Sequence, residues 1–332
     1  MKIENGIKTI ETDTYKILFN MRTGMEIMTG VNGHDDPVVL EMPNLIDCGI
    51  MSKCTNNCKI CYQGDNKDTP NMSLEDYETI LIQVADTTNQ IALGGKGNPD
   101  EYERFEDILK LTRKYNIIPN YTTSGIMMNE EKARITAKYC GAVAVSSYNQ
   151  PYTYTALKML MDVGCKTNIH FVVTSESIQS AIDLLNGTDI FNGQVDLARL
   201  NAVILLKFKA QGKGRNYPEL MPSDTDLVRL FTAMRSGKVK FKVGCDSCMV
   251  CKMDELTTLT SKEKMMVDTC ESGRMSVYID SNSLMKPCSF VAEQGIDLRT
   301  HTVREAWNSP LFLEYRQRLE KNSNICPIKF TI

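Results

Sequence analysis

"KCTNNCKICYQG", residues 53–64, sets three cysteines at C-x3-C-x2-C spacing and supplies no fourth. A tetrahedral metal site or an iron–sulfur cube normally takes four protein ligands, so one position of whatever this loop binds is left for something else. The stretch before it, "LIDCGI" (45–50), is a short apolar run of buried-strand type. A thiol-rich loop directly after a buried strand fits a parallel α/β fold, where functional loops follow the C-terminal ends of the strands.

The same alternation repeats downstream. Further strand candidates are "QIALGG" (90–95), "IIPNYTTS" (117–124), "AVAVSS" (142–147), "TNIHFVV" (167–173) and "ARLNAVILL" (198–206). Segments of helical periodicity separate them at 73–87, 101–115, 130–140, 152–163 and 177–186, with another at 224–235 after the last strand. Ser73 and Asp76 stand at capping-box spacing, which marks the first helix start. Strands joined through single helices run parallel with right-handed connections, so six units predict an α/β fold built as a partial (β/α)6 TIM-like barrel. Cys54, Cys58 and Cys61 then share one rim with Gly94 and Gly95 after the second strand, Ser124 after the third and Ser146 after the fourth.

Residues 9–30 read as a small hairpin, so 1–43 is expected to be a hairpin-like N-terminal extension and 44–237 the barrel. After the Gly-, Lys- and Pro-rich "KFKAQGKGRNYPELMPS" (207–223) the alternation ends, and 238–332 is expected to form a small cysteine-rich α+β domain.

Composition narrows the function classes. The 332 residues are 42% hydrophobic and 24% charged, close to the globular average, so a sizeable core is expected. A net charge of −3 gives no general attraction to nucleic acid or anionic lipid. The N-terminal residues lack the apolar core of a signal peptide, and no apolar run is long enough to span a bilayer, so a cytoplasmic protein is expected. Twelve cysteines without a secretory signal point to metal or redox chemistry rather than to disulfides, and with three histidines any metal site must be thiolate-rich.

Two metals compete for the loop. Zinc sites usually show paired C-x2-C motifs and four ligands, whereas three cysteines on one loop suit three corners of a 4Fe-4S cube. With its position after the first strand of a six-unit barrel, "CTNNCKIC" resembles the cluster loop of the radical S-adenosylmethionine (SAM) enzymes over about residues 44–235. The resemblance implies that Cys54, Cys58 and Cys61 hold a 4Fe-4S cluster whose open iron is chelated by SAM. It implies that Gly94 and Gly95 of "LGGKG" let the backbone approach the SAM amino group, although Lys96 stands where the family often has Glu. Ser124, Ser146 and Tyr148 fall where the family places polar contacts to SAM, and Ile60 where an aromatic often flanks the adenine, which leaves the adenine contact to the backbone or to Tyr62. For the serines, plain strand-end hydrogen bonding is the alternative.

Residues 244–332 contain six more cysteines: Cys245, Cys248, Cys251, Cys270, Cys288 and Cys326. "CESGRMSVYIDSNSLMKPC" (270–288) reads as strand, turn, strand. It resembles the auxiliary-cluster extensions called SPASM or twitch domains, which implies one auxiliary 4Fe-4S cluster on Cys248, Cys270, Cys288 and Cys326. Cys245 and Cys251 compete with Cys248 for the upstream ligand, and a zinc site on Cys245, Cys248, Cys270 and Cys288 is the competing reading. Cys48, Cys140 and Cys165 fall in or beside core elements, as small buried hydrophobes do.

His170 lies on the same strand face as Asn168, where it would line a cavity or simply be hydrogen-bonded. The basic runs 206–215 and 238–242 read as solvated loops rather than anion sites, and Trp307, Leu311, Phe312 and Tyr315 as the apolar face of one C-terminal helix. The resemblance implies reductive cleavage of SAM, hydrogen abstraction from a peptide or protein side chain, and an electron donor of flavodoxin or ferredoxin type. A small-molecule substrate is the alternative, and a non-catalytic zinc or iron–sulfur nucleic-acid-binding protein is the alternative of another class.

Overall fold

The structure, a computed structural model, describes every residue except 67, 148, 267–269, 292, 323–325, 327 and 329–332. At the N-terminus, strands β1 (Lys2–Glu4), β2 (Ile7–Glu11), β3 (Tyr15–Asn20) and β4 (Glu26–Gly30) form an antiparallel meander, larger than the hairpin expected. Strict alternation in β2 and β3 puts Ile10, Tyr15 and Ile17 on one face, where they pack with Leu40. On the same face Lys8 is fully buried and donates to the Ala85 and Thr88 carbonyls, each at 2.7 Å.

The barrel follows. Strands β5 (Leu45–Cys48), β6 (Gln90–Leu93), β7 (Ile118–Thr123), β8 (Val143–Ser146), β9 (Thr167–Val173) and β10 (Ala202–Lys207) run parallel in chain order. Between them lie α1 (Leu74–Val84), α2 (Phe105–Lys114), α3 (Glu130–Tyr139), α4 (Pro151–Asp162) and α5 (Ile178–Leu185), and α6 (Asp224–Arg235) follows β10. Ser73, Asn129 and Ser223 cap α1, α3 and α6 by accepting from backbone N–H groups of the first turn, each cap contributing about 1 kcal/mol. The strand expected from residue 198 begins at 202, because the Asp196 carboxylate accepts from Ala198 N and holds the chain in a turn.

Two further pieces join the sheet from beyond residue 237. Strand β11 (Lys242–Cys245) pairs parallel with β10 and leads into α7 (Ser247–Leu256) and the short α8 (Ser261–Lys264). Strand β12 (Ser276–Ile279) pairs parallel with β5 at the opposite edge, then antiparallel with β13 (Leu284–Lys286), which pairs with β14 (Ile296–Asp297). The cysteine-rich region therefore flanks the barrel sheet on both sides. The expected single C-terminal helix is two, α9 (Val303–Trp307) and α10 (Pro310–Lys321), since Pro310 cannot continue a helix but starts one well.

Alternation on β9 sends Ile169, Phe171 and Val173 to the helices and leaves Asn168, His170 and Val172 facing inward. The lower interior is plugged by amide pairs, Asn120 with Gln90 at 2.9 Å and Asn201 with Asn168 at 2.7 Å. At the N-terminal ends of the strands, Glu26 accepts from Asn44 and Asn89, and Lys166 donates to Thr23 O, so the N-terminal meander seals that end. The C-terminal rim stays open.

Candidate functional site

The cysteine loop rises from β5 onto that open rim and is shaped by its own polar side chains. Asn66 accepts from Cys54 N at 2.9 Å and donates back to Cys54 O. The Asn56 backbone N–H approaches Cys54 Sγ at 3.4 Å and its side-chain amide Cys58 Sγ at 3.5 Å. Donors aimed at sulfur are the kind of surrounding contact that orients a metal ligand. Cys54, Cys58 and Cys61 are all partly exposed. The basic segment packs against this loop: Lys213 N donates to Cys61 O at 2.8 Å, and any side chain at Gly212 would run into the backbone of Tyr62 and Gly64. Lys207, Phe208, Lys209 and Lys213 of "LKFKAQGKGR" thus form a wall, which corrects the expectation of a solvated loop.

All three cysteines line one cavity of about 410 Å³, together with Ile60, Tyr62, Gly94, Gly95, Ser124 and Ser146. Tyr148 lies outside the described residues. The space above Gly94 is open, while Gly95, at φ +79°, lies so close to the Tyr278 hydroxyl that a Cβ there would meet it at 2.8 Å. Lys96 donates to Gly64 O at 2.5 Å, tying the glycine turn to the cysteine loop. Ser124 N donates to Asn98 at 2.8 Å. Ile60 packs on Phe208 and Leu220, and Tyr62 on Phe290 with ring centroids 4.8 Å apart. His170 lines the cavity near Thr122, 3.4 Å away; burial pulls its pKa to about 4 despite the opposing charge of Asp246, so it is neutral.

The second group of cysteines gathers beside this cavity. Asp246 caps α7 by accepting from Met249 N at 2.8 Å, which places Cys248 in the first helical turn. A hydrogen bond shared with Cys326 brings Cys248 down to about 7, against burial and with help from Lys209 and Lys207, while Cys326 is raised. Cys270 and Cys288 are raised by burial, Cys288 to about 12, and both feel the charge of Cys248. Cys251 also lies near Cys248, Cys270 and Cys326. Cys245 lies on β11 with its sulfur 3.8 Å from the Met234 sulfur. Fully buried Tyr315 packs beside Cys270 and Cys288; its hydroxyl has no hydrogen bond of standard geometry, although the Cys270 thiol lies within reach. A buried hydroxyl among converging thiols fits a sulfur-rich group. Among the described residues no three Cys, His, Asp or Glu side chains are grouped to hold a single ion; a cube asks for one thiolate per iron rather than convergence on one point.

One wall serves both places. Ser289 and Phe290, which follow Cys288, line the cavity, and so does Lys209, whose Nζ pairs with Asp246 at 2.5 Å and lies 4.7 Å from the Phe290 ring centre. Burial opposes the Lys209 charge, but Asp246 and the neighbouring Cys248 and Cys288 hold it on. Sequence reasoning missed Lys209, Asp246, Ser289, Phe290, Tyr278 and Asp47. The signal for Asp47 was an acid inside the apolar run "LIDCGI". Cys48, Cys140 and Cys165 are in or against the core, their thiols pushed up by burial, Cys165 to about 11.

Residues 49–149 match the family model described as the Radical SAM superfamily. No curated protein matches the chain. Among solved structures it is similar to SuiB of Streptococcus suis bound to precursor peptide SuiA, and to SuiB bound to S-adenosylmethionine. Both share 16% identity at TM-score 0.73, covering 95% of this chain and 90% of SuiB. It is also similar to anSMEcpe with bound AdoMet and Cp18Cys peptide, at 16% identity and TM-score 0.61 over 82% of each chain. At such identities the likeness establishes the fold.

Proposed function

We propose, for this radical SAM enzyme with a SPASM-like C-terminal region, that it removes hydrogen from a peptide or protein side chain held in the barrel cavity. Cys54, Cys58 and Cys61 hold the 4Fe-4S cluster that leaves an iron for SAM, and Cys248, Cys270, Cys288 and Cys326 hold one auxiliary 4Fe-4S cluster. When bound, these groups supply reductive cleavage of SAM to a 5′-deoxyadenosyl radical at the first site and electron acceptance or substrate binding at the second. Gly94 and Gly95 admit the methionine end of SAM, Ser124, Ser146 and Tyr148 offer polar contacts, and Ile60 and Tyr62 flank the adenine. Phe208 and Phe290 shield the reacting space from water.

The observation that carries this reading is the shared wall: the loop after Cys288 and the Lys209–Asp246 pair border both the cavity and the second cysteine group. The peptide substrate is supported by the similar folds of SuiB and anSMEcpe, each crystallised with a peptide. We further propose that residues 1–43, 44–237 and 238–332 are the functional units, that a flavodoxin- or ferredoxin-type protein delivers electrons, and that the enzyme works in the cytoplasm.

Anaerobic reconstitution tests the reading. About seven to eight iron per chain, absorbance near 400 nm and 5′-deoxyadenosine after dithionite reduction are expected for two cubes. Peptides encoded beside the gene should then change mass. Zinc without iron, or no SAM cleavage, overturns the enzyme; modification of a small molecule with no peptide modified overturns the peptide.

A further inference from the structure

Asp47 is the one acidic side chain among the described residues that line the cavity. It points inward from β5, where it stands opposite Ala92, two residues before Gly94. At the rise of a strand this is about 6–7 Å below the glycine turn, so Asp47 lies deeper in the barrel than the cysteine loop and the rim that would receive SAM. The Asp47 side chain is exposed to the cavity space. Burial, with the charge of Glu271 adding to it, raises its pKa to about 6, so most of it is ionised at pH 7.

No hydrogen bond or ion pair of the described residues reaches that carboxylate, although lysines line the same cavity. Lys96 is committed to Gly64 O, Lys209 to Asp246 and Lys213 to Asp65, and the charge of the fourth, Lys207, is felt at Cys248 of the second cysteine group. An open cavity allows water to solvate Asp47. When a substrate fills the space, that water leaves, and a desolvated carboxylate without a counter-charge is strongly penalised. The occupant must then bring the missing donor.

We propose that Asp47 anchors a cationic group of the substrate, an alkylammonium or guanidinium of a side chain, at the base of the cavity. The inference rests on the radical SAM reading of the same cavity and adds the chemical class of the group bound there. Asp47 acts as a binding residue that sets specificity: it rewards a cation and, by its own repulsion, rejects a carboxylate of similar length.

The test uses the reconstituted enzyme with SAM and three probes of equal chain length, n-pentylammonium, n-pentanol and valerate, titrated into wild type, Asp47→Asn and Asp47→Glu. A charge-assisted pair should make pentylammonium bind about tenfold or more tighter than pentanol in wild type. The preference should vanish in Asp47→Asn, a near-isosteric change, and return at least in part in Asp47→Glu, with SAM affinity the same in all three. Pentylammonium no better than pentanol in wild type, or equally preferred in Asp47→Asn, overturns the inference. A fall in SAM affinity in Asp47→Asn also overturns it, by making Asp47 a cofactor ligand. Release of 5′-deoxyadenosine by wild type without substrate is scored separately, and its absence counts against the radical SAM reading alone.

Discussion

Lys8 shows how much one side chain can hold at the sealed end of the barrel. Its ammonium is fully buried, satisfied by the carbonyls of Ala85 and Thr88 where α1 ends, and burial lowers its pKa to about 8 against the attraction of Asp86. Lys8→Met would leave both carbonyls without their donor, and we expect a loss of about 2–4 kcal/mol in urea denaturation. The sign of the pH dependence follows from the lowered value. Between about 8 and 10.5 the unfolded chain holds a proton on Lys8 that the folded chain has released, so this residue makes stability rise with pH across that window. Lys8→Met should lack that rise in a pH series. On the open rim, Gly95→Ala forces φ +79° on an L residue and pushes a methyl against the Tyr278 hydroxyl. SAM affinity, measured by equilibrium dialysis, should fall at least about tenfold through a loss on the order of 1–2 kcal/mol. These two positions differ in legibility. The glycine pair after an apolar run announced a close approach, whereas nothing about Lys8 in "GIKTIE" foretold burial, because its partners lie some 80 residues away.

Among the elements, α7 links the two groups of cysteines, and Asp246 is the residue on which it turns. Its carboxylate caps the helix through Met249 N and pairs with the buried Lys209 ammonium at 2.5 Å. The two duties can be separated by substitution. Asp246→Asn keeps a good cap but strands the Lys209 charge; Asp246→Ala loses both. We expect Asp246→Asn to cost about 3 kcal/mol and Asp246→Ala about 1 kcal/mol more, read from guanidinium titrations of the reconstituted protein. Equal costs would mean that the cap contributes nothing. The barrel elements themselves were legible because each strand and helix carries its own period, and Ser73 marks the start of α1 by its cap. Strand β11 was not, since "KVGC" is short and only partly buried, and its place is fixed by pairing with β10 rather than by its pattern. The α9–α10 break was readable at Pro310, but the apolar spacing of Trp307, Leu311 and Phe312 masked it.

At the scale of the whole molecule the chain closes one end of a barrel and furnishes the other. The meander seals the N-terminal ends of the strands, whereas the cysteine-rich region reaches the sheet at both edges and brings its second thiol group to the cavity wall. No local pattern could give that arrangement, because β12 pairs with β5 across more than two hundred residues. The consequence lies in Phe290, whose ring packs on Tyr62 and under the Lys209 ammonium and so fills the wall between the two places. A reactive radical is productive only while its surroundings exclude water and hold the substrate in place. Phe290→Ala removes the ring and leaves a gap that the neighbours fill only in part. Radicals should then be quenched more often before the substrate reacts. The measurable sign is the ratio of 5′-deoxyadenosine released to product formed, which we expect to rise about tenfold or more over wild type with the iron content unchanged. Phe290→Leu, which restores most of the apolar volume, should bring the ratio most of the way back. A ratio that stays at the wild-type value in Phe290→Ala would mean that the wall does not guard the reaction, and that the second cysteine group borders the cavity without sealing it.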